Sequence, residues 1–91
     1  MPKYVIERTV PGANKMSEED LRQLAGHSNG VLRDLGPDIQ WVHSYVAGDK
    51  IYCVYNARDE AIIREHGRCG EFPVDLVTEV ASTIDPTTGE V

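Results

Sequence analysis

The chain has 91 residues, enough for one domain at roughly 100 to 200 residues per domain, and its 41% apolar and 26% charged residues place it among globular rather than disordered sequences. Nine Lys and Arg against fifteen Asp and Glu leave a net charge of −6; the basic residues are scattered, so no stripe exists to track a phosphate backbone and nucleic acid is excluded as an expected partner. The longest apolar run, Ile51 to Tyr55, is far shorter than the roughly 20 residues of a membrane span, and Lys3, Glu7 and Arg8 break any secretory signal, so no membrane association and a cytoplasmic location with reduced Cys53 and Cys69 are expected.

Lys3 to Thr9 is rich in β-branched and aromatic residues and is stopped by Val10-Pro11-Gly12-Ala13, which predicts a first strand. Ser17 before Glu18, Glu19 and Asp20 reads as an N-cap with a capping-box acid, and acidic residues suit the positive end of a helix dipole. Leu21, Leu24, Ser28, Val31, Leu32 and Leu35 then recur at helical spacing until Gly36-Pro37 ends the pattern.

Ile39 to Val46 and Lys50 to Asn56 flank the turn-prone Ala47-Gly48-Asp49 and predict an antiparallel hairpin. Pairing Val46 with Ile51 sets Tyr45 against Tyr52, Ser44 against Cys53, His43 against Val54 and Val42 against Tyr55. One face then collects Trp41, His43, Tyr45, Tyr52 and Val54; the other collects Val42, Ser44, Val46, Ile51, Cys53 and Tyr55. Asp59 to about Cys69 reads as a second helix loosened at its end by Gly67 and Gly70. Beyond the Phe72-Pro73 corner, Asp75 to Ile84 reads as a last strand, and 85–91 as a polar tail after a single domain spanning 1–84.

The order β-α-β-β-α-β is that of an α+β, ferredoxin-like sandwich with a four-stranded antiparallel sheet and both helices on one face. On this reading Tyr4, Ile6, Trp41, His43, Tyr45, Tyr52 and Val54 share the uncovered face, which is too apolar for water and predicts a sheet-to-sheet homodimer.

No CxxC pair, HExxH, P-loop or nucleophile-elbow motif is present. The chemistry-bearing residues are three histidines, two thiols and an excess of carboxylates, and imidazole suits nickel, zinc and copper. His66 and Cys69, three apart on the second helix with Glu65 alongside, are placed to share one ion; a helix-capping His66 is the bland alternative. His43 lies mid-strand, where a ligand competes with an interface histidine, and His27 sits near the polar face of the first helix. Glu7 is expected to point toward the helices and toward Ser44, Cys53 and Tyr55, either paired with Arg64 or serving as a ligand or base. The candidate metal donors are thus His43, His66, Glu7, Glu65, Cys53, Cys69 and His27.

The strings YVIERTVPGA (4–13), GPDIQWVHSYV (36–46), DKIYCVYNARDEAIIREHG (49–67) and GEFPVDLVTEV (70–80) resemble a family of small, largely actinobacterial nickel-binding proteins long catalogued as a domain of unknown function. The resemblance covers nearly all of the chain except the tail. It implies a ferredoxin-like homodimer that binds nickel ions and sequesters or detoxifies them. Glu7, Trp41, Ser44, Tyr45, Cys53, Tyr55 and His66 match recurrent polar positions of the family, with His43 matching in closer members, whereas Arg58, Gly67 and Cys69 depart from its pattern.

The leading expectation is therefore a nickel or divalent-metal binder without turnover. The competing expectation is a dimeric enzyme of the cyclase, isomerase or oxygenase type, with a pocket beside the sheet and Glu7, His43 and Tyr55 as acid-base groups. A noncatalytic interaction module comes third.

Overall fold

A computed structural model describes residues 1–90. Strands β1 (Lys3–Thr9), β2 (Ile39–Ala47), β3 (Lys50–Ala57) and β4 (Leu76–Glu79) form one antiparallel sheet in the order β2-β3-β1-β4, and helices α1 (Glu18–Leu35) and α2 (Glu60–Gly70) follow β1 and β3. The element order and the α+β class are those expected from the sequence. A short 3-10 turn, Ala13–Lys15, links β1 to α1, and another, Pro86–Gly89, lies in the exposed tail, whose last residue, Val91, is outside the described residues.

Both helix starts are set by their caps. Ser17 Oγ accepts from the Asp20 amide while the Asp20 carboxylate accepts from the Ser17 amide, completing the capping box that the sequence announces. Asp59 accepts from the Ile62 amide at 3.0 Å, and this bond holds its carboxyl below the ordinary range. At the other end of α2, Gly67 and Gly70 act by close packing rather than by loosening the helix. A Cβ on Gly67 would meet Val74 at 2.6 Å, and one on Gly70 would meet the Phe72 ring at 2.1 Å. The left-handed turn itself is made by Glu71, at φ 58°.

The sheet's two faces are sorted differently from the sequence expectation. Tyr4, Ile6 and Arg8 of β1 are buried with Ile51, Cys53, Tyr55 and Ala57 of β3, and Ile62 and Ile63 of α2 close this core. Tyr4 and Ile6 therefore lie under the helices and not on the open face. Glu7, expected inside, takes the opposite face, across from Tyr52 on one side and Leu76 on the other. Strand alternation allows only one of these two sets inside, and the set with two large apolar residues prevails even though it carries Arg8 with it.

The hairpin register holds for four pairs, from Val46–Ile51 to His43–Val54, and then slips by one. Val42 is an extra residue in a β-bulge, so Trp41 rather than Val42 pairs with Tyr55. The bulge turns Trp41 to the helix side, where its indole N–H donates to Ser44 Oγ at 2.9 Å, and leaves Val42 exposed. The last strand is also shorter than expected, since pairing stops at Glu79 and residues 80–84 are not strand.

The open face retains His43, Tyr45, Tyr52 and Val54 and gains Val5 and Leu76, with Tyr45 60% exposed. On the covered face, Leu24, Leu32 and Leu35 of α1 pack partly buried against the core, and Ser28 is the one buried residue of its six-residue stripe. A cavity of about 530 Å³ lies beneath the first half of α1.

Candidate functional site

The cavity is walled by the first half of α1, the end of α2, the Phe72 corner and strands β1, β2 and β3. Leu21, Leu24, Trp41, Val46, Ile51 and Phe72 are part of its largely apolar lining; Arg8, Ser28, Tyr55 and His66 meet at one end, and His27, Ser44 and Glu71 are the further polar lining residues. Arg8 is only 4% exposed. Its Nη1 donates to the Pro73 carbonyl at 2.7 Å, its Nε to Cys53 Sγ at 3.4 Å, and its guanidinium carbon sits 5.5 Å from the centre of the Phe72 ring. Its Nη2 has no partner among the described residues, and neither does His66 Nδ1.

His66, 1% exposed, shares a hydrogen bond of 3.1 Å with Ser28 through Nε2, and its ring lies between Tyr55 and Phe72. Burial, with Arg8 and then His27 adding repulsion, lowers its pKa from 6.5 to about 4, so the imidazole is neutral at physiological pH. Burial pushes the Tyr55 phenol up, an effect strengthened by Cys53 and only partly offset by Arg8 and Ser28, so it remains a hydrogen-bond donor. Within this cluster of four the formal charge is therefore the positive one on Arg8; the Glu71 carboxylate, on the same corner as Phe72 and Pro73, also lines the cavity.

The other expected donors are dispersed. His66 points into the core, whereas Cys69 is exposed and donates its S–H to Glu65 at 3.3 Å, so the two do not converge on one ion. The Glu65 carboxylate raises the Cys69 thiol, and Glu65 itself is held low by its ion pair with Arg68. Cys53 is buried beside the Arg8 cation, a repulsive setting for a metal ion. His27 shares a hydrogen bond of 2.9 Å with the Gly70 carbonyl and packs edge-on to Phe72. Glu7 pairs with Lys50 at 3.7 Å, not with Arg64, whose partner is Glu60. Among the described residues no three His, Cys, Asp or Glu side chains form a group able to hold a metal ion. His43, exposed like His27, lies on the open face against the edge of Tyr45.

The acid-base trio of Glu7, His43 and Tyr55 is also split. Tyr55 lines the cavity, while Glu7 and His43 occupy the far side of the sheet.

Residues 4–80 match the model of the family described as nickel responsive protein SCO4226-like. The chain belongs to this family. The crystal structure of SCO4226 from Streptomyces coelicolor A3(2) shares its fold, with a TM-score of 0.73 at 14% identity over 90% of this chain and 99% of that one. No curated protein matches the chain. The resemblance carried by the strings around Trp41 to Tyr55 is thus borne out at the level of the family. Within this member of the family, no helix among the described residues is long and apolar enough to cross a membrane.

Sequence reasoning passed over Arg8, Ser28 and Phe72 as functional residues. Arg8 shares the alternation of Tyr4 and Ile6, so the signal was available once those two are placed inside; a buried arginine runs against the usual exposure of charge. Phe72 lies in the chain where a corner is expected, and its role as the ring between Arg8, His27 and His66 comes from tertiary contacts alone.

Proposed function

We propose that this chain is a nickel-binding protein of ferredoxin-like fold that acts as a cytoplasmic homodimer, holding the ion at its open sheet face without turnover and thereby sequestering it. His43 is the main nitrogen donor in this reading, and Glu7 on the same face is the carboxylate nearest in register to the tyrosine pair Tyr45–Tyr52. The observation that carries it is the division of the imidazoles. His66 is buried and His27, though exposed, is hydrogen-bonded to the Gly70 carbonyl, whereas His43 is exposed on the face away from the Arg8 cation. Imidazole and carboxylate are suitable nickel donors, and the family name, nickel responsive protein, agrees with them.

A second copy has two roles here. Tyr45 and Leu76 are 60% and 49% exposed, and joining two open faces covers this apolar area. The same contact doubles the donors from His43 and Glu7, which offsets the small number that one chain gathers. An overall charge of −6 favours cations at the surface in general.

Calorimetric titration of the metal-free, tag-free protein with nickel and with magnesium tests the reading. Saturable nickel binding with a much weaker magnesium response is expected, and His43→Ala should weaken nickel binding roughly tenfold or more. Equal, weak heats from both metals reduce the effect to counterion attraction and overturn the reading.

A further inference from the structure

Arg8 is a buried cation without a carboxylate. It has two neutral partners, Cys53 Sγ and the Pro73 carbonyl, and its third nitrogen has none among the described residues. An arginine in the interior ordinarily requires an anion, because desolvating a charge is costly unless it is paired. The fold nevertheless keeps this side chain at the polar end of a cavity of about 530 Å³, which falls within the volume range of small-molecule sites.

We infer that this cavity binds a small, mostly apolar monocarboxylate, with the guanidinium of Arg8 as its anion partner and the Ser28 and Tyr55 hydroxyls beside it. A carboxylate fits the planar fork of arginine, to which it accepts paired hydrogen bonds. A monoanion fits because Arg8 is the one cation among the lining residues, which also include the Glu71 carboxylate; a dianion such as phosphate would bury one negative charge without a counterpart. An apolar body fits because Leu21, Leu24, Trp41, Val46, Ile51 and Phe72 line the cavity and its wall is mostly apolar. The first half of α1 is the geometric counterpart: Leu21 and Leu24 are only partly buried and line a space that the chain itself does not fill. This site goes beyond the nickel reading and does not depend on it, since the two lie on opposite faces of the sheet.

Trp41 is the chain's single tryptophan and lies on the cavity wall, so its emission reports occupancy. The metal-free full-length protein is titrated with octanoate and 3-phenylpropanoate, with the uncharged octanamide and 3-phenylpropanamide, and with inorganic phosphate. Both carboxylates should produce a saturable change in emission, with the amides binding roughly tenfold or more weakly. Phosphate should produce none. Arg8→Met should bring carboxylate and amide affinities together. The comparison of acids with amides on the unaltered protein decides the matter even if Arg8→Met does not fold. Equal affinity for acid and amide, no saturable change with either acid, or phosphate binding as tightly as octanoate would each overturn the assignment.

Discussion

Ser28 Oγ and His66 Nε2 are 3.1 Å apart and form a buried hydrogen bond from α1 to α2, at the polar end of the cavity. It gives the His66 ring a partner at one of its two nitrogens, and it ties down the one residue of the α1 stripe that is fully covered. Ser28→Ala should therefore destabilise the fold by about 1 to 3 kcal/mol, the cost of leaving a buried polar group unpaired. Urea unfolding of the two proteins measures it; a change within error would show that His66 finds another partner.

Acid should weaken the protein through His66. The unfolded chain binds this proton near pH 6.5, whereas the folded chain binds it only near about 4. Between these values the unfolded state carries more protons, so stability is highest above pH 6.5 and falls as pH drops toward 4, by about 3 kcal/mol in full. Thermal unfolding at pH 7 and pH 4.5 should show the loss, and His66→Gln should flatten it. An NMR titration that finds the His66 ring protonating near 6.5 in the folded protein contradicts the expectation.

Gly70→Ala should be poorly tolerated although alanine favours helices. Its Cβ would sit 2.1 Å from Phe72, and that ring stacks on His66 and backs Arg8. Overpacking of this kind costs about 1 to 3 kcal/mol. Gly30→Ala, with nothing near the added atom, is the control and should be neutral or slightly stabilising. Melting temperatures of the two variants give the comparison.

Tyr45→Lys should separate the copies. The side chain is 60% exposed on the open face, so the isolated fold loses little, but a charge on a joined sheet face would weaken association roughly tenfold or more. Sedimentation should show a dimer for the unaltered chain and a monomer for the variant, with the same far-ultraviolet dichroism. An unaltered chain that stays monomeric at high concentration eliminates the homodimer, and with it the doubled donor set for nickel.

The local signals in this chain were strong where the structure is local. The Ser17–Asp20 capping box, the Lys3–Thr9 strand, the limits of both helices and four pairs of the hairpin all follow from neighbours a few positions apart. Their physics needs only backbone donors, caps and turn residues. The candidate site was much less legible. Three-residue spacing puts His66 and Cys69 close along a helix, but it does not say which of them turns inward. Here His66 is covered by Tyr55 and Phe72, and Cys69 stays outside with Glu65.

By itself the sequence determined the elements, their order and the membership of a nickel-responsive family, because caps, periodicity and family motifs are written in consecutive residues. Only the tertiary structure decided the faces. Alternation divides β1 into Tyr4-Ile6-Arg8 and Val5-Glu7 without ranking them, and one extra residue at Val42 reverses Trp41. The inward choice was made by packing against Ile62 and Ile63, which brought a charged arginine to the wall of a cavity beneath the first half of α1. That outcome depends on the fit of side chains far apart in the chain, and no short-range pattern encodes it.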